Sequence, residues 1–302
     1  MRGSKTTRAR IGLAGALLAT VALGTGARVV GRGEEPKTNG VAPVHASVAA
    51  ALPAVSPCPD GMAPVPTATF DGRPERNASA VAFCIDRFEA SLVAIAPDGR
   101  EEAVSPFGPV KDDDAERAIK AVSVRGVHPQ AYVSAIVAKR ACGRAGKRLC
   151  TPREWVTACK GPQNLAYPYG NERRARACND YGKSPVIELY GAPSSAKEKS
   201  FWSAEKLNDP ALNQLDGTLA KTGTHPKCAN ELGVFDMVGN LHEWVDDPAG
   251  AFYGGYYQDT RQQGEGCNYK TTAHEAGYHD YSTGFRCCSD PLDAARDAGP
   301  AP

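Results

Sequence analysis

The chain has 302 residues, enough for one large domain or two modest ones, and 42% of them are apolar, which suffices for one sizeable core. Its 35 basic and 34 acidic side chains nearly cancel. That balance does not look like a nucleic-acid footprint, which needs Lys and Arg clustered well beyond it, and no nucleic-acid partner is expected.

The N-terminus reads as an address. Arg2, Lys5, Arg8 and Arg10 precede an apolar run from Ile11 to Leu23, and small residues follow from Gly24 to Ala27. This is the layout of a secretory signal over residues 1–27, with cleavage after Ala27. The alternative is an uncleaved membrane anchor, although the run is short against the roughly 20 residues that a bilayer needs. Residues 28–57 are rich in Ala, Pro, Val and Gly and read as a tether, and a similar tail covers 290–302. Residues 58–289 form the globular segment. Within it, Lys111 to Asp114 reads as a solvated loop, and Asn77-Ala-Ser79 fits a glycosylation sequon.

Val81, Phe83 and Ile85 alternate as in a strand. Pro129 is placed to open a helix whose apolar face is Val133, Ile136, Val137 and Ala141, stopped by Gly143 and Gly146. A second helix starts at Thr151, where the hydroxyl caps, Pro152 suits the first turn and Glu154 completes a capping box. Trp155, Ala158 and Cys159 share its inner face, and Gly161 ends it. With frequent Gly and Pro, the pattern predicts a loop-rich α+β fold.

Four strings carry more information: GKRLCTPREW (Gly146 to Trp155), GVFDMVGNLHEW (Gly233 to Trp244), Gly254-Gly255, and GFRC (Gly284 to Cys287). With Tyr167-Pro-Tyr-Gly170, they resemble the formylglycine-generating enzyme (sulfatase-modifying factor) family. The resemblance implies a variant of the C-type-lectin fold with two short helices and small antiparallel sheets, stapled by disulfides. It also implies the bridges Cys142–Cys287 and Cys159–Cys267. For the other cysteines our inference is Cys58–Cys84, Cys150–Cys288 and Cys178–Cys228, since adjacent strand residues such as Cys287 and Cys288 face opposite ways. Zinc is the competing reading of these sulfurs, though no C-x-x-C knuckle is present. An even count of ten agrees with export to an oxidising compartment: secreted, periplasmic or envelope.

Oxidase members of the family hold copper(I) with two cysteine thiolates between the Gly-Gly step and the last disulfide cysteines, because the soft metal prefers sulfur. The corresponding stretch, Tyr256 to Gly266, contains no cysteine. No copper is therefore expected, and the leading expectation is a binding or accessory module for a secreted or envelope protein, a peptide or a glycan. The alternative is an enzyme acting on a protein or peptide through Tyr256, Tyr257, His274 and His279. A lectin-like carbohydrate role rests on fold analogy alone. His242 stands at a tryptophan position of its string and reads as a packing substitute.

The resemblance further implies a structural calcium held by Asp236, Gly239, Leu241 and Glu243, the glycine and leucine through their carbonyls. The alternative is a turn in which both acids serve backbone amides. A second family calcium would use Asn179. Arg286 is expected to be buried and paired with Asp86 or Glu89.

Overall fold

Apolar β-branched residues and cysteines build the central strands, which are numbered here in chain order. In the computed structural model, β1 (Met62–Pro66) pairs antiparallel with β2 (Val81–Asp86), which pairs with β11 (Cys287–Ser289), and β11 with β6 (Arg148–Leu149). A second sheet has the order β10 (Thr283–Phe285), β7 (His242–Trp244), β8 (Phe252–Tyr253) and β9 (Lys270–Thr271), with β10 and β7 parallel. A third places β3 (Ser91–Ile95) between β4 (Glu101–Ala103) and β5 (Ala118–Val122). The structure describes residues 56–67, 69, 80–110, 118–195, 199–272 and 274–292. The expected signal over 1–27, the tether apart from its last two residues, the 111–114 run, the Asn77 sequon and the tail beyond Leu292 lie outside the described residues.

Helix α1 spans Ala135–Arg144, capped by the Ser134 hydroxyl on the Val137 amide. It begins later than Pro129 implied. The preceding residues are consumed by other segments, Gln130 N–H donating to the Ala90 carbonyl and Tyr132 N–H to that of Asp280. Ile136, expected on the inner face, is 40% exposed, while Val133, Val137 and Ala141 are buried as expected, together with Ala138 and Cys142. Helix α2 (Pro152–Lys160) carries the expected capping box between Thr151 and Glu154, with Trp155, Ala158 and Cys159 inward. Two further short helices, α3 (Pro185–Tyr190) and α4 (Ala204–Leu207), begin at serine caps.

Five disulfides close the fold: Cys58–Cys84, Cys142–Cys287, Cys150–Cys288, Cys159–Cys267 and Cys178–Cys228. Cys287 and Cys288 sit side by side on β11 and tie it to α1 and to the segment before α2 respectively. Three bridges span 145, 138 and 108 residues, each worth about 4–5 kcal/mol in the chain-entropy model. One core cluster gathers Trp155, Met237, Val234 and Phe83, and another Trp244, Phe285, Val137 and Leu92. Five buried disulfides fit an oxidising, non-cytosolic setting. Among the described residues, no helix is long and apolar enough to cross a membrane.

Candidate functional site

The Gly254-Gly255 step is demanded by space. Both residues have positive φ, +84° and +70°. A Cβ on Gly254 would lie 2.7 Å from the Met237 carbonyl oxygen, and one on Gly255 2.3 Å from that of Asp259. The chain then turns back on itself through the Tyr256–Asp259 bridge. Where the resemblance implies metal-binding thiolates, this loop presents phenols. All ten cysteines are half-cystines, so the chain holds no free thiol.

The loop feeds an aromatic cluster. The Tyr256 ring lies 4.8 Å from His242, and His242 lies 4.5 Å from Phe252 and 5.4 Å from Tyr269. Phe252 stacks on His274 at 5.7 Å, and His274 on Tyr278 at 3.8 Å. Tyr256 Oη also meets Tyr281 Oη at 3.5 Å, and Tyr278 Oη donates to Asp280 Oδ2 at 2.6 Å. Burial pushes the Tyr256 phenol up to about 12 and raises Tyr278 and Tyr281, with the Asp280 charge adding to both. These phenols stay protonated and act as donors. Burial, helped by nearby His274, pushes His242 down to about 3, so it is a neutral packing ring, and its Nδ1 has no partner.

Of the four catalytic candidates, Tyr256 and His274 belong to this cluster. Tyr257 lies beside Tyr256, but it is fully buried and its hydroxyl donates to Asn213 Oδ1 at 3.0 Å. His279 is directed elsewhere, with Nδ1 2.8 Å from Asn208 Oδ1. The four therefore do not converge as an acid–base set. Sequence reasoning missed Tyr281 and Tyr269, which carried no signal beyond being aromatic.

The acids of the GVFDMVGNLHEW string lie behind this surface. Glu243 Oε2 accepts from Arg286 Nε at 2.6 Å and from Trp155 Nε1 at 2.7 Å, while Oε1 accepts from Arg286 Nη2 at 2.6 Å. The partner of Arg286 is thus Glu243, correcting the expected Asp86 or Glu89. Asp86 gives Arg286 only its backbone carbonyl, and its carboxylate pairs with Lys147 at 2.6 Å. Glu89 accepts from Asn240 Nδ2 and from Leu241 N–H. Asp236 Oδ2 accepts from Gly223 N–H at 2.7 Å. Arg286 also feels the charges of Glu89 and Asp236.

This arrangement does not fit the expected calcium at Asp236, Gly239, Leu241 and Glu243. Both Glu243 oxygens are occupied by cationic or indole N–H donors, and a guanidinium already supplies the positive charge that the acids share. Among the described residues, no group of three or more His, Cys, Asp or Glu side chains is placed to hold a metal ion. Asn179, assigned to a second calcium, uses its amide on the Thr218 carbonyl and Asn240 Oδ1.

Comparisons with known proteins agree with the strings. A family model described as "Sulfatase-modifying factor enzyme 1-like domain" matches residues 47–291. The formylglycine-generating enzyme of Mus musculus is 28% identical over 125 residues, covering 41% of this chain and 28% of that protein. That of Thermomonospora curvata is 29% identical over 204 residues, covering 57% of this chain and 58% of its own length. The chain thus spans less than two thirds of either relative. Among solved structures, "Crystal Structure of CarF" is similar at a TM-score of 0.37 and 17% identity, over 70% of this chain and 87% of that one. The "Major Tropism Determinant I1 Variant" is similar at 0.41 and 14% identity, over 77% and 53%. With a match running from residue 47 to 291, the chain belongs to the family of sulfatase-modifying factor enzyme 1-like domains.

Proposed function

We propose that this chain is an exported member of its family that lacks copper oxidase activity and serves as a binding or accessory module. Its partner class is a secreted or envelope protein, a peptide or a glycan. Residues 1–27 act as the export signal or as an anchor. One observation carries the reading: every cysteine is bridged, and the stretch from Tyr256 to Gly266 offers phenols in place of thiolates. A copper(I) site of the family type needs soft sulfur ligands. The partly exposed rings of Tyr256, His274 and Tyr278 present aromatic surface, which suits recognition more than oxidation.

The alternative, an enzyme acting on a protein or peptide through the same groove, has less support. Tyr257 is enclosed with its hydroxyl on Asn213 and His279 is turned to Asn208, so the four candidates do not form one acid–base set.

The test is a copper(I) titration of the purified protein under oxygen with a peptide carrying the Cys-x-Pro-x-Arg motif. Neither stoichiometric copper uptake nor aldehyde formation is expected. Tight one-to-one copper with aldehyde in the peptide overturns the reading.

A further inference from the structure

A second groove shares no residue with the aromatic cluster. It lies between the end of α2 and the turn through Ala229 and Glu231, with a volume of about 320 Å³, near the lower bound of roughly 300 Å³ for small-ligand sites. Leu165, Pro168 and Tyr169 line it, the Tyr169 ring stacked on Tyr167 at 5.5 Å with the Arg174 guanidinium 5.7 Å from its centre. Lys160 and Glu231 flank it, and neither is in an ion pair with the other or with another described residue.

The groove is stiffly held. Asn230 hooks the turn onto α2, its Nδ2 donating to the Ala158 carbonyl while its Oδ1 accepts from Leu232 and Val234 N–H. Cys159, next to Lys160, is bridged to Cys267, and Cys228, next to Ala229, is bridged to Cys178. The Asn230 amide oxygen is thus doubly engaged and its nitrogen tied to α2, whereas the ammonium and the carboxylate remain available. Two unpaired opposite charges beside Leu165, Pro168 and Tyr169, on walls pinned by disulfides, are complementary to a zwitterion with an apolar body.

We propose that this groove binds a zwitterionic ligand of dipeptide size with apolar side chains. The ligand's ammonium meets Glu231, its carboxylate meets Lys160, and its side chains lie on Leu165, Pro168 and Tyr169. This does not rest on the reading given for the loop after Gly255.

The test is calorimetric titration of the purified full chain with L-leucyl-L-leucine, its N-acetyl form and its C-terminal amide. The free dipeptide binds saturably, and each cap weakens binding by about tenfold or more, the loss of one charge-assisted hydrogen bond. Glu231→Gln abolishes discrimination against the acetyl form only, and Lys160→Met against the amide only. Absence of saturable binding, equal binding of all three ligands, or discrimination that survives in the variants overturns the proposal.

Discussion

Arg286 and Glu243 form a fork-to-fork ion pair in the interior, with two contacts of 2.6 Å and side-chain exposures of 0% and 1%. Arg286 stands between β10 and β11, which belong to different sheets, and Glu243 lies in the middle of β7. The pair therefore joins the two larger sheets at the point where the GFRC string crosses from one to the other. Arg286 adds bonds to the carbonyls of Asp86 and Phe235, so its donors are spread over three segments.

Removing either partner leaves a buried charge without its counterion. Glu243→Gln is expected to cost about 3–5 kcal/mol of unfolding free energy. Arg286→Lys is expected to be destabilising too, because an ammonium cannot reproduce the planar fork. Urea unfolding measures both. A loss within the range of ordinary surface substitutions, below about 0.5 kcal/mol, would show that the pair is not the joint described.

Calcium is predicted to leave stability unchanged. A ligand that binds only the folded state raises Tm by mass action, so calorimetric scans with millimolar calcium and with chelator should superimpose. A chelator-induced drop in Tm would show that the folded chain holds a calcium ion and would contradict this expectation.

Asp236 predicts a pH-dependent variant. Burial lifts its pKa to about 6, above an unfolded value of about 3.9. Between those values the folded protein keeps a proton that the unfolded chain has released, so this group lowers stability as pH rises and costs most above about pH 6. Glu89, raised by burial and by the charges of Asp236 and Glu243, acts in the same direction. Asp236→Asn removes the ionisation, keeps an acceptor for Gly223, and tolerates the φ of 58° at this position. Its Tm relative to the parent should be more favourable at about pH 8 than at about pH 4. An identical offset at both pH values counts against a buried, ionising Asp236.

The Cys142–Cys287 bridge closes the largest loop, 145 residues. Replacing both cysteines by alanine is expected to cost about 2–5 kcal/mol, with a matching fall in the denaturant midpoint. A variant as stable as the parent would remove the case that crosslinks hold β11 across α1.

Local chemistry made α2 legible: Thr151, Pro152 and Glu154 cap, open and close the box without help from elsewhere. The start of α1 was hidden because Gln130 and Tyr132 bond to Ala90 and Asp280, partners remote in the chain. The family strings implied Cys142–Cys287 and Cys159–Cys267, and the opposite faces of Cys287 and Cys288 suggested Cys150–Cys288. Cys58 and Cys84 flank one loop, and Cys178–Cys228 followed only as the remainder. The Glu243 partner of Arg286 was not legible, because Glu89, Asp236 and Asp86 are also buried near that guanidinium and only the packing of β7 selects one. At the site itself, the missing thiolates were plain in the sequence. The stacking of His242, Phe252, His274 and Tyr278 arises from the β7–β8 register and the loop before β10, which residue order does not reveal.

Every cysteine of this scaffold serves as a crosslink. Mass spectrometry of the unreduced protein, unfolded and treated with an alkylating reagent, tests it most directly. No alkylated cysteine is expected, and the peptides should be joined in the five pairs seen here. Stoichiometric labelling of two cysteines, above all Cys267 or Cys288, would contradict it.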